Sequence, residues 1–163
     1  MKKIAPLQVT TPGDREVVIV RSFDAPRRLV FDAFTKPALV QRWLLGPPGW
    51  TMPVCEIDLR VGGAYHYVWR GEQGGTFGFH GVFREIAAPE STVHTEQTDE
   101  PPSGDPAVVT TAFAEDGGTT TVTMTVAYPS GEVRQAVLAT GMADGVEQSY
   151  ERLDQMLAAG EVA

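Results

Sequence analysis

From residue 50 to residue 127 apolar side chains recur at every second position, in runs separated by glycine, proline and acidic residues. A period of two marks strands with one buried face. It predicts strands over 50–58, 63–70, 76–86, 91–97, 107–115 and 118–127, preceded by one over 16–23 that is rich in β-branched residues. Val122, Met124 and Val126 alternate with Thr121, Thr123 and Thr125, giving a buried and a wet face. Asp116-Gly117 is a two-residue turn signal that sets Thr111 opposite Val122 and Val109 opposite Met124. The Pro/Asp-rich stretch 98–106 reads as a mobile loop, and residues 1–14 as a flexible arm.

The period changes to three and four in two places. Leu29, Val30, Ala33 and Phe34 predict a short helix over about 26–35, with Asp24 as N-cap and Pro26 in its first turn. A second, over 37–45, presents Leu39, Val40 and Trp43 and stops at Gly46-Pro-Pro-Gly49. Near the end, Leu138, Met142, Val146, Tyr150, Leu153 and Leu157 form one stripe of a long helix over about 132–159. Gly141 and Gly145 lie inside it, each costing roughly 1 kcal/mol relative to alanine. A kink, or close approach of the helix to another surface, should offset that. The predicted fold is α+β: a curved antiparallel sheet gripping a long C-terminal helix, with two short helices closing its open end. One domain spans 15–160.

The densest chemistry lies in Asp58-Leu-Arg-Val-Gly-Gly-Ala-Tyr-His-Tyr-Val-Trp69 and Phe77-Gly-Phe-His-Gly-Val-Phe83. A hairpin about Gln73 puts Trp69 opposite Phe77, Tyr67 opposite Phe79 and Tyr65 opposite Gly81, all on one face. A nearly all-aromatic face with a glycine gap calls for a cover or a ligand.

Composition narrows the function. At 163 residues the chain can bury a core without metals or disulfides. A formal charge of −8 argues against nucleic acid or an anionic membrane as partner. Nothing approaches the ~20 apolar residues of a membrane helix, and Met1-Lys-Lys-Ile-Ala-Pro lacks the apolar run of a signal peptide, so a cytoplasmic protein without membrane insertion is expected. Cys55 stands alone and reads as a buried strand residue. His66 and His80 fall opposite each other on the face away from the aromatics, while His94 falls near Phe83, so no metal site is expected. Glu56 and Asp58 share a face and read as solvated strand-end charges. Arg60 with Gly62-Gly63 shapes a turn. No nucleophile motif, phosphate loop or dinucleotide fingerprint is present, so neither catalytic residues nor a cofactor are expected.

Several motifs occur in a familiar order: Phe23-Asp-Ala-Pro, Gln41-Arg-Trp43 with Gly46-Pro47, Asp58-Leu-Arg-Val-Gly-Gly63, Gly81-Val-Phe83 and Thr140-Gly-Met-Ala-Asp-Gly-Val-Glu-Gln-Ser-Tyr-Glu-Arg-Leu-Asp154. Together, over about 15–158, they resemble the homologues of the activator of the 90-kDa heat-shock-protein ATPase, in the START/birch-allergen-like (SRPBCC) superfamily. The resemblance implies a helix-grip fold, a stress-response setting, and functions ranging from hydrophobic-ligand binding to cyclase or aromatase chemistry. The chain departs from the family pattern at Leu44 and Val146, where tryptophans are common; both changes remove bulk. Fold and function separate easily in such superfolds.

The functional expectation is therefore non-catalytic binding of a small hydrophobic or aromatic molecule between sheet and terminal helix. The expected lining is Tyr65, Tyr67, Trp69, Phe77, Phe79, Phe83, Thr111, Met142, Val146 and Tyr150, with Gly81 and the helix glycines leaving volume unfilled. An enzyme of the cyclase or aromatase type, or a domain that docks on a chaperone, regulator or second copy, are the alternatives. An unpaired buried His, Glu or Asp would favour the enzyme, and a large exposed apolar patch the interaction domain.

Overall fold

The computed structural model describes residues 6–99 and 104–162. Among them eight strands form one antiparallel sheet in the order β1-β2-β8-β7-β6-β5-β4-β3. These are β1 (Gln8–Thr10), β2 (Glu16–Phe23), β3 (Thr51–Ile57), β4 (Ala64–Arg70), β5 (Thr76–Ala87), β6 (Ser91–Thr98), β7 (Ala107–Asp116) and β8 (Thr119–Ala127). Two helices, α1 (Arg27–Thr35) and α2 (Pro37–Trp43), carry the chain from β2 to the opposite edge at β3. The meander then returns it to β8, alongside β2. Helices α3 (Gly131–Leu138) and α4 (Met142–Ala158) close the fold. This is the expected helix-grip architecture. No described helix is long and apolar enough to cross a membrane.

Strand register puts Val17 of β2 in a row with Val126 of β8 and Val109 of β7, Ile19 opposite Met124 and Phe23 opposite Thr120 on the same face, where Val122 pairs with Phe113 of β7. Against these pack Val30, Phe31, Ala33 and Trp43 from α1 and α2, and Tyr150, Leu153 and Met156 from α4. The core thus sits at the β2–β8–β7 half of the sheet. Arg21 shares that face, opposite Val122, and is 6% exposed. Its guanidinium reaches α4, donating to both Asp154 oxygens at 2.5 and 3.3 Å, and also to the Ser22 carbonyl at 2.6 Å. Its carbon stands 5.1 Å from the centre of the Phe23 ring. A planar fork suits this bidentate grip of a carboxylate.

Four expectations change. Within the supposed arm, Gln8–Thr10 forms an edge strand, Val9 pairing with Ile19; a three-residue strand is too short to show a period. Residues 1–5, and 100–103 of the expected loop, lie outside the described residues. The terminal helix is two helices, divided at Gly141, whose φ of 80° only glycine adopts without strain. Ser130 caps α3, its hydroxyl accepting from the Val133 amide at 3.2 Å. In the β7–β8 hairpin Thr111 faces Met124 and Val109 faces Val126. The turn residues are Gly117-Gly118, both at positive φ as a type I′ turn requires, so the partners slip by two while every side chain keeps its face. Finally, Pro26 and not Asp24 occupies the N-cap of α1, and the Arg27 amide donates to Glu115 of β7 at 2.7 Å.

Candidate functional site

The aromatic hairpin pairs as its period predicts: Trp69 with Phe77, Tyr67 with Phe79, Tyr65 with Gly81. The rings form a continuous wall. Trp69 stacks on Phe77 at 6.0 Å and meets Phe79 edge-on at 5.5 Å. Tyr67 lies 5.9 Å from Trp69 and 5.0 Å from Tyr65, which in turn lies 5.9 Å from Phe83. Tyr65 and Phe83 are buried, Tyr67, Trp69 and Phe79 half-buried, and Phe77 is 43% exposed. Two polar tips are already satisfied: the Trp69 indole donates to the Leu44 carbonyl at 2.6 Å, and the Tyr65 hydroxyl to Thr95 O at 2.7 Å.

Gly81 does not leave a void. A Cβ there would lie 2.0 Å from the Thr95 carbonyl oxygen and 2.8 Å from Tyr65 Cε1, so the glycine lets Tyr65 lie across β5 and reach β6. Gly145 faces Pro47 and Gly46 at 3.8 and 3.9 Å, not the sheet, beside a hydrogen bond from the Gly46 amide to Ser149 Oγ. Gly145 therefore makes only ordinary contact, with the loop after α2, and not the close approach expected of it.

The ten predicted lining residues divide into two groups. Tyr65, Tyr67, Trp69, Phe77, Phe79 and Phe83 make the wall. Met142, Val146 and Tyr150 pack on the core instead, Tyr150 meeting Phe23, Phe34 and Trp43 at 5.2, 6.0 and 5.8 Å. Thr111 is buried in the row of Thr92 and Met124. A depression of about 350 Å³ lies at the outer end of β3 and β4, bordered by Glu56, Ile57, Asp58, Ala64, Tyr65 and His66. The wall itself is partly exposed at Phe77, Trp69, Tyr67 and Phe79 and buried at Tyr65 and Phe83.

Two polar residues that the sequence did not single out for the site share its face. His94 pairs with Phe83 and Val109, its ring edge-on to Tyr65 at 4.9 Å. Among the described residues its buried Nδ1 has no hydrogen-bond partner, and burial lowers its pKa to about 4. Two residues on, Glu96 pairs with Ala107 of β7 and interacts electrostatically with Tyr65, Tyr67 and Tyr128. Burial among these groups raises its carboxyl to about 7. Period two in residues 91–98 places His94 and Glu96 together; that signal could have found them.

The remaining candidates lie elsewhere. His66 and His80 are cross-strand partners on the other face, and both bond Asp99, His66 Nε2 at 2.7 Å and His80 Nδ1 at 2.6 Å. Burial opposes the charge of Asp99, but the two imidazole hydrogen bonds outweigh it and hold the carboxyl below its ordinary value. Among the described residues no group of metal-ligating side chains is assembled. Glu56 stands 3.9 Å from His66 Nδ1, and Asp58 accepts from Arg60 Nε at 2.8 Å. A Cβ on Gly63 would sit 2.1 Å from the Asp58 carbonyl, which fits its turn role. Cys55, opposite Tyr67, has its thiol pushed up to about 11 by burial and is no nucleophile at neutral pH.

Residues 24–158 match the sequence profile of the family described as activator of Hsp90 ATPase homolog 1-like protein. No curated protein gives a significant match. A protein from Rhodobacter sphaeroides, solved by crystallography, is 34% identical, with 95% of this chain and 99% of that one covered and a TM-score of 0.88. An AHSA1-like protein from Aeromonas hydrophila is 23% identical, with 88% and 94% covered and a TM-score of 0.66. The AHSA1 protein from Silicibacter pomeroyi is 19% identical, with 89% and 99% covered and a TM-score of 0.71. The last two likenesses speak to fold alone.

Proposed function

The chain belongs to the family of activator of Hsp90 ATPase homolog 1-like proteins, in the SRPBCC superfamily, and on that premise we propose that it binds a small apolar or aromatic molecule against its open aromatic wall. The observation that carries this reading is the separation of the wall from the core. The side chains of α4 pack on the β2–β8–β7 half, while Tyr67, Trp69 and Phe79 stay half-buried on the same face of the sheet. Rings already in edge-on and stacked contact form a rigid platform, so a flat ligand gains apolar burial at small ordering cost.

Titration with 2-methoxynaphthalene tests it. Tryptophan emission should change saturably in the wild type, and the change should vanish in Trp69→Phe, which keeps Trp43 and Trp50. A wild type that shows no saturable response, or an unchanged response in Trp69→Phe, defeats the reading. One observation favours a catalytic variant of it, as in cyclases or aromatases: Glu96, with its carboxyl near neutrality, beside the unpartnered His94.

A further inference from the structure

On the half of the sheet that carries the wall, the acidic and basic side chains of this face meet near one point, Glu96 and His94. Register lays it out in rows across the sheet. Ile57, Tyr65 and Gly81 form one row, which continues through Glu96 to Ala107, and Cys55, Tyr67, Phe79 and Thr98 form the next. Glu96 therefore stands at the border of the wall, on the side away from the β3 edge. His94 stands one row further on, between Phe83 and Val109. Among the described residues no hydrogen bond or ion pair holds the Glu96 carboxylate, and the residue as a whole is half-buried where it borders the wall. A polar group kept in apolar surroundings without a partner costs stability unless something satisfies it.

We propose, on the reading that the wall binds a small aromatic molecule, that the occupant is uncharged and carries a hydrogen-bond-donating hydroxyl, its ring on Tyr67, Trp69 and Phe79 and its hydroxyl on the Glu96 carboxylate beside His94. The surroundings disfavour full charge on the ligand. The same burial raises an acid and lowers a base two residues apart, so it disfavours a charge of either sign there. An anion also meets Glu96, and a cation would have to lose its own hydration for an ion pair that roughly breaks even on burial. A neutral hydroxyl has neither problem, and its bond to a carboxylate is of the stronger, charge-assisted kind.

The groups facing Glu96 leave it alone to titrate between pH 5.5 and 8. Tyr65 and Tyr67 of β4 and Tyr128 after β8 are all raised by burial, and Cys55, beside Tyr67, is raised to about 11. Gly81 and Ala107, its neighbours across β5 and β7, do not titrate, and His94 on its own strand is neutral throughout, its pKa lowered to about 4.

The test compares 2-naphthol, 2-methoxynaphthalene and 2-naphthoate on the full chain by calorimetry at pH 5.5 and pH 8. Naphthol should bind about tenfold tighter than the methoxy probe at pH 8, with a smaller advantage at pH 5.5, because the carboxylate is the better acceptor. The methoxy probe should be flat with pH, and naphthoate should weaken as pH rises. Glu96→Gln should flatten the naphthol profile. Equal affinity for naphthol and the methoxy probe overturns the hydroxyl inference while leaving the wall reading intact, as does tighter binding of naphthoate than of naphthol. Failure of every probe to bind overturns both.

Discussion

Removing Asp154 should cost more than removing the arginine it holds. Arg21 is nearly inaccessible, with side-chain exposure of 7%, whereas Asp154 keeps 36%. In Asp154→Ala the guanidinium stays buried with only the Ser22 carbonyl and the Phe23 ring, and breaking a buried pair this way costs about 3–5 kcal/mol. Two effects reduce that: the pair is wet at its acidic end, and alanine is the better residue in α4 by roughly 0.6 kcal/mol. About 2–3 kcal/mol remains, or a Tm lower by roughly 5–10 °C for a domain of this size. In Arg21→Met the buried charge disappears, an unbranched apolar chain fills the site, and Asp154 rehydrates, so the loss should stay within about 1 kcal/mol. The double variant should match Arg21→Met, the coupling being most of the Asp154→Ala effect. Urea unfolding of all four proteins measures this. An Arg21→Met protein as unstable as Asp154→Ala would refute the reasoning, since the desolvated charge would then not be the source of the cost.

His94 and Glu96 should impose opposite slopes on stability against pH. A base lowered on folding costs stability as pH falls through about 6.5 toward 4, and an acid raised on folding costs it as pH rises from about 4.5 to 7. Glu96→Gln should therefore gain on the order of 1–3 kcal/mol at pH 8 and none at pH 4, measured by denaturant titration at each pH; a gain at pH 4 alone contradicts the assignment. Gly81→Ala should lose about 3 kcal/mol, the upper part of the overpacking range, because its methyl meets a backbone carbonyl that cannot turn away. Calorimetry would count against that close approach if the Tm were unchanged. Gly145→Ala meets only ordinary contacts in mid-helix and should gain roughly 0.5–1 kcal/mol, whereas Gly141→Ala, at φ 80°, should lose about 1 kcal/mol; thermal melts of the pair should move in opposite directions.

What could be read from the chain was what alternation controls. The facing of Trp69, Tyr67 and Tyr65 against Phe77, Phe79 and Gly81 follows from parity and one turn, and so does the His66–His80 pair. The slip in the last hairpin kept parity, which is why its error moved partners without turning any side chain over. Parity does not say what lies above a face. It could not tell that Tyr150 would meet Phe34 and Trp43 and leave the wall uncovered, since that depends on where α4 lands. Nor does it mark Arg21, whose place in β2 is an apolar position filled by a charge and held by Asp154, 133 residues away. His94 and Glu96 alternate correctly, but in a strand of polar residues the buried face has no apolar signature.

The pairing of β2 with β8 has a consequence for how the chain is made. Glu16–Phe23 leaves the ribosome before the whole β3–β8 meander, yet its inner neighbour, Thr119–Ala127, is the last strand of that meander to be synthesised. About 100 residues separate them, which at roughly 5–20 residues per second is a delay of about 5–20 s. During that interval β2 can pair only with the three residues of β1, while Val17 and Ile19 wait without Val126 and Met124 of β8. The meander from β3 to β8 can form hairpin by hairpin as it emerges, each turn closing a short loop at small entropic cost. The nascent protein therefore grows its sheet from the aromatic edge toward the core, and β2 is an unprotected apolar segment until the β7–β8 hairpin arrives.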